Sequence, residues 1–109
     1  MWRVRDRATF RALVRAPRAR RGPVTVRAVS GPSGEPPRVA YAVGRAVGSA
    51  VARNRLRRRL RAAVNEERSA LVPGTAYLVG ATPGAADLSF ARLRTELREA
   101  LVGAGRSSS

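Results

Sequence analysis

Residues 44–61, GRAVGSAVARNRLRRRLR, hold seven arginines (Arg45, Arg53, Arg55, Arg57, Arg58, Arg59 and Arg61) and no carboxylate. The nearest acids are Glu35 and Glu66. On a helical wheel at about 100° per residue, Ala52, Leu56, Leu60, Ala63, Val64 and Leu71 share one arc. Arg57, Arg61 and Arg68 lie on one flank, Arg55 and Arg59 on the other, and Arg58 opposite the apolar arc. The pattern predicts one amphipathic helix with a dry stripe and an arginine shell. Its charges run against the macrodipole, because cations crowd the N-terminal half and Glu66 and Glu67 come last. A solvated basic face is the ordinary fate of a charge run. One sign throughout, at the end where backbone N–H groups attract anions, favours a polyanion instead, and arginine forks bind phosphate bidentately.

The whole chain agrees with that reading. Its 109 residues suffice for one domain, and the formal charge is +15 with no lysine at all. Such a charge opposes compaction unless a polyanion relieves it, and nucleic acid is the first candidate. Cysteine and histidine are absent. That removes disulfides, zinc ribbons, thiol nucleophiles and the commonest general base. The seven carboxylates (Asp6, Glu35, Glu66, Glu67, Asp87, Glu96 and Glu99) are scattered and form no two-metal cluster. No apolar run approaches the roughly 20 residues of a membrane span, and no signal peptide opens the chain. A soluble cytoplasmic protein with no membrane partner is expected, its chemistry supplied by another molecule.

Along the chain, Asp6 is placed to cap a helix that Pro17 stops. Phe10, Leu13 and Val14 form its apolar stripe. They are either ordinary core, or Phe10 stands at a groove rim and offers a base a stacking surface. Residues 18–22 read as a basic loop. Residues 24–30 alternate as a strand, with Val24, Val26 and Ala28 on one face and Thr25, Arg27 and Val29 on the other. A turn at 31–37 leads to a second strand at 38–44, whose Val39, Tyr41 and Val43 alternate with small Ala40 and Ala42. The two strands suggest an antiparallel hairpin, and its alanine and glycine face would admit an extended RNA strand. The basic helix is expected from the Ser49 cap to about Leu71, before Pro73-Gly74. Residues 75–81 read as a strand buried on both faces. A last helix, capped by Asp87 or Ser89, carries Phe90, Leu93, Leu97 and Leu101 and ends at Gly103. Its arginines alternate with Glu96 and Glu99, as scaffold would. The expected fold is α+β, a two-layer sandwich of helices on a small, mostly antiparallel sheet. One domain spans 1–103, and 104–109 form a disordered tail.

Residues 47–61, VGSAVARNRLRRRLR, resemble the signature of the bacterial ribonuclease P protein subunit. Val47, Gly48, Ala50, Val51, Arg53, Asn54, Arg55, Arg58 and Arg61 match that pattern, and Arg57 replaces a lysine. Arg53-Asn54-Arg55 corresponds to the family's RNR motif. Arg3 and Phe10 look like its early arginine and cleft phenylalanine. Ala81, Pro83, Gly84 and Ala85 look like its turn after the last strand, with Thr82 in place of an arginine. The resemblance implies an α-β-β-(β)-α-β-α order with a left-handed β-α-β crossover, for which 17–22 is a poor candidate as the extra strand. It implies an accessory subunit, not itself catalytic, of an RNA enzyme that removes the 5′ leader of precursor tRNA with Mg2+ held by the RNA. Arg45, Arg53, Asn54, Arg55, Arg57, Arg58 and Arg61 would contact the catalytic RNA. Phe10, Val14 and Arg27 would line the leader cleft.

Departures from the pattern carry expectations of their own. Ser49 stands for a common asparagine, and Arg45-Ala46 for a lysine pair. Arg59 occupies a usually aliphatic position, so its side chain should snorkel outward. Val14 and Arg27 replace aromatic residues, so leader contact should rest more on Arg27 than on stacking. The alternative function is a ribosomal or other ribonucleoprotein assembly protein. A self-contained nuclease lacks the side chains. DNA reading is not expected, since helix-turn-helix spacing is absent.

Overall fold

The computed structural model describes residues 1–31 and 34–107. Pro32 and Ser33 of the expected turn, and Ser108 and Ser109 of the expected tail, lie outside the described residues. The apolar run becomes the central strand β5 (Thr75–Ala81), with every residue buried except Ala81. A strand apolar on both faces needs a neighbour along each edge and a cover on each side. Two flanking strands meet the first need. β3 (Val24–Ser30) pairs antiparallel, from Val24 opposite Ala81 to Ser30 opposite Thr75. β4 (Arg38–Val43) pairs parallel, from Arg38 opposite Ala76 to Val43 opposite Ala81. The hairpin expected of β3 and β4 therefore does not form, because β5 inserts between them.

The residues read as a basic loop form β2 (Arg18–Arg21), antiparallel to β3 through a turn at Gly22, whose φ is 53°. Only Ala19 of this strand turns toward the core, so its arginines mask the alternation; charged residues on an edge strand also block further pairing. A fifth strand, β1 (Trp2–Arg3), lies parallel along the outer edge of β4. The sheet order is β1-β4-β5-β3-β2, and its pairings divide evenly between parallel and antiparallel.

Helix α1 (Arg7–Arg15) begins where Asp6 accepts a 2.9 Å bond from the Thr9 amide, and stops at Ala16 before Pro17. Helix α2 (Ala50–Glu66) begins on Ser49, whose hydroxyl accepts from the Ala52 amide at 3.2 Å. It ends five residues earlier than expected. A 3-10 turn over Arg68–Ala70 follows and still delivers Leu71 to the core. Helix α3 (Phe90–Ser107) starts on the Ser89 hydroxyl and runs through Gly103 instead of ending there. A Cβ at Gly103 would meet the Ala19 Cβ at 3.4 Å, so the glycine lets the helix pass close over β2 and bury Ala104. The expected tail thus starts too early, since residues 104–107 are helical.

Val24, Val26, Ala28, Val39, Val43, Tyr77 and Val79 point to one face of the sheet and form the main core. From α2 come Leu56, Leu60, Ala63 and Val64, and from α3 Leu93, Leu97 and Leu101. Each fully buried leucine contributes roughly 1.5–3 kcal/mol. On the opposite face α1 lies alone, and its Leu13 covers Ala76 and Leu78. This leaves part of that face open. Among the described residues no helix is long and apolar enough to cross a membrane.

Candidate nucleic-acid interface

The chain leaves β4 through a 3-10 turn at Arg45–Val47 and enters α2 across Gly48. Gly48 has a φ of 135°, which a side chain would strain, so this motif glycine sets the angle at which α2 starts. With Leu56, Leu60, Ala63 and Val64 locked in the core, the helix cannot rotate, and its arginines are held in fixed directions.

Those arginines take different roles. Arg57 donates through Nη1 to the Asn54 Oδ1 at 2.7 Å, so Asn54 orients a guanidinium. The Arg61 guanidinium lies 5.6 Å from the Tyr41 ring centroid, a cation–π contact that holds it flat over β4. Burial pushes the Tyr41 hydroxyl pKa up, and Arg61 partly offsets this. Arg45, Arg55 and Arg58 are exposed. Arg53 is half-buried, and its Nε is buried with no hydrogen-bond partner. An orphaned buried donor costs roughly 1–3 kcal/mol. Among the described residues none of the seven pairs with a carboxylate; Asp6, Glu67, Glu96 and Glu99 are paired elsewhere.

Arg59 departs from expectation. It does not snorkel to solvent but turns under α2 and donates to the Ala85, Ala86 and Leu88 carbonyls. These close the 3-10 turn Pro83–Asp87 that follows β5. The free carbonyls there offer an arginine more than water does, which a wheel drawn for α2 alone does not show.

The uncovered sheet face beside α1 is a groove lined by Val14, Arg18, Thr25, Arg27, Ala42, Leu78, Gly80 and Thr82. Its floor is made of small residues. A Cβ at Gly80 would lie 2.7 Å from the Thr25 hydroxyl oxygen and 3.4 Å from the Ala42 carbonyl, so the floor admits no larger side chain. The structure brings Val14 and Arg27 together here. Arg27, however, donates through Nη1 to the Val14 and Ala16 carbonyls at 2.7 and 2.8 Å, and so clamps the end of α1. Phe10 stands one helical turn away. It is 44% exposed and lines a shallow depression with Val4, Arg5, Asp6, Arg7 and Arg11. Its place in the core is thereby ruled out, and Val14 is likewise open to solvent.

Sequence reading passed over Trp2, which stands half-exposed on β1 beside the Arg57 and Arg61 flank. A two-residue edge strand has no periodicity to reveal it.

The family model described as Ribonuclease P matches residues 1–105. A ribonuclease P protein component of Nocardioides sp. is 45% identical over 107 residues, covering 94% of this chain and 91% of that protein. One from Beutenbergia cavernae is 40% identical over 82 residues, covering 75% and 69%. Among solved structures, the RNase P protein from Thermotoga maritima superposes with a TM-score of 0.81 at 19% identity, covering 94% of this chain and 97% of that one. That superposition supports the fold, and the sequence matches carry the ancestry. With its motif helix and its five-stranded sheet, this chain belongs to the bacterial ribonuclease P protein family.

Proposed function

We propose that this chain is the protein subunit of ribonuclease P and assists an RNA catalyst in removing the 5′ leader of precursor tRNA. The observation that carries the reading is the outward side of α2: arginines on a rotationally fixed helix, none of which pairs with a carboxylate among the described residues. Arg45, Arg53, Arg55, Arg57, Arg58 and Arg61 hold phosphates of the catalytic RNA, and Asn54 fixes Arg57. A structured RNA suits this face, because a rigid charge array loses little entropy on binding a rigid partner.

The groove between α1 and the sheet takes the single-stranded leader. Its small-residue floor suits a chain lying close to the backbone, Val14 and Arg18 line its sides, and Phe10 stands one helical turn from Val14 on α1, in a separate depression. Arg27 shapes the groove by holding α1 through Nη1, and Nη2 and Nε, which make no bond among the described residues, face the leader in this reading. Among the described residues no three His, Cys, Asp or Glu side chains gather where a metal ion could sit. The reading leaves the ions with the RNA.

Reconstitution with a ribonuclease P RNA tests it. At low magnesium the protein should stimulate cleavage of precursor tRNA at the leader junction, and an absence of stimulation would overturn the proposal. If about six phosphates are neutralised, log K against log salt should fall with a slope of about −4 to −5.

A further inference from the structure

We infer that the outer edge of β1 is a stacking site for an unpaired nucleobase of the same RNA that α2 holds; this extends the RNA-binding reading above and rests on it. Trp2 is the chain's only tryptophan, and it is 53% exposed on an edge strand. Its backbone is fixed by the pairing with β4 and by a 2.8 Å bond from its amide to the Pro37 carbonyl. An indole held open on a rigid edge serves no core. It lies instead at one side of a groove of about 550 Å³, whose other walls include Arg3, Tyr41, Arg57, Arg61 and Asn65. Among the described residues no carboxylate lines this groove.

The groove suits a nucleotide in chemistry and size. Its volume falls within the range of about 300–1,000 Å³ typical of small-ligand clefts. The indole supplies a π face, and stacking on it is tolerant of base identity. Arg57 and Arg61 are already oriented, by Asn54 and by the Tyr41 ring, so phosphates on either side of a stacked base meet prepared guanidiniums. Asn65, one and two turns beyond them on the same helix flank, carries both a donor and an acceptor for a base edge. Because Arg57 and Arg61 belong to the α2 face as well, the groove is continuous with that face. It lies across the sheet edge from the leader groove, which favours the RNA bound by α2 over the leader as the source of the base.

The single tryptophan is its own reporter. Titrating the protein with ribonuclease P RNA should quench Trp2 emission and shield it from acrylamide, whereas precursor tRNA alone should do neither. Trp2→Ala should weaken binding of the ribonuclease P RNA by about 5- to 100-fold with the salt slope unchanged, because stacking releases no counterions. Trp2→Phe should recover most of the loss and covers the case of an alanine variant that folds poorly. Salt-dependent RNA binding with unchanged Trp2 emission and an unaffected Trp2→Ala variant would overturn this inference and leave the subunit reading standing. Quenching by precursor tRNA only would overturn the assignment to the α2-bound RNA. No binding of either RNA would sink both.

Discussion

Helices α2 and α3 lie side by side on one sheet face, with 17 and 18 residues, and each carries leucines inward and arginines outward. Their charges nonetheless behave differently. On α3, Arg92 pairs with Glu96 at 2.9 Å, and Arg94 reaches Glu67 at the end of α2 at 3.1 Å. On α2 no arginine finds a carboxylate among the described residues. Paired arginines hold the fold together, whereas unpaired ones on a fixed helix raise the energy of the free protein and lower it when an anion arrives. Arginine counts, six on α2 and four on α3, distinguish the two helices less than the placement of the carboxylates does.

The comparison breaks most readily on RNA affinity. Replacing Arg57, Arg58 and Arg61 together by alanine should weaken binding of ribonuclease P RNA by tens- to hundreds-fold near physiological salt. The log–log salt slope should become shallower by about 2–3. Thermal stability should hold or rise, because three like charges are removed. A parallel loss of melting temperature would show that these arginines serve the fold. Replacing Arg92 and Arg94 should do the reverse, lowering stability and leaving the slope in place.

A second test uses the acid that joins the helices. Glu67 is largely buried, with its side chain 13% exposed, and accepts from both Nε and Nη2 of Arg94. Glu67→Gln leaves that guanidinium half-buried without its counter-charge and should cost about 1–2 kcal/mol. For a domain of this size that is a fall of roughly 5–15 °C in melting temperature. RNA affinity should change little. A Tm unchanged within error would place the α2–α3 seam wholly on its leucines.

Arg59 sharpens the contrast: like Arg94 of α3, it ties its helix to another element of the fold. Arg59→Ala removes donors to three carbonyls of the turn after β5, and should cost about 1–2 kcal/mol in urea unfolding. The salt slope of RNA binding should not move. A slope shallower by about one would instead return Arg59 to the RNA face.

How much of this was legible beforehand follows from the range of the interactions. The α2 stripe, the Asp6 and Ser49 caps and the β5 run are local patterns, and each appears where periodicity put it. Strand pairing is not local. The lure of a β3–β4 hairpin came from a short Pro/Gly loop, and nothing in that loop reports that a strand 32 residues beyond β4's end will need the central slot. Likewise β2 hides because three of its four residues are arginine, and Gly103 reads as a stop because its partner Ala19 is far away in sequence. For the site, the motif supplied the α2 residues one by one. Arg59 was misjudged, and the clamp that Arg27 puts on α1 went unread, for a common reason: each meets carbonyls of another element, and a guanidinium's destination depends on tertiary neighbours.

The smallest effect concerns the two helix caps. Ser49 and Asp6 do the same work at the starts of α2 and α1, but only Asp6 titrates. Its carboxylate accepts from the Thr9 hydroxyl at 2.7 Å and the Thr9 amide at 2.9 Å, and faces Arg38 at 3.4 Å. The hydroxyl and amide bonds hold its pKa below the ordinary 3.8, with Arg38 a lesser cause. A depressed carboxylate contributes stability that is complete above its unfolded-state pKa and lost as pH falls through the folded one. Lowering the pH below about 4 should therefore fray the first turn of α1 while α2 stays capped, as amide exchange at Thr9 and Ala52 would show. Asp6→Asn keeps an acceptor without the titration, so its α1 should show the same exchange on both sides of that pH. Equal fraying of both helices in the native chain would mean that acid acts on the shared core, and that the caps do not distinguish the helix lying alone on its face from the one buried against α3.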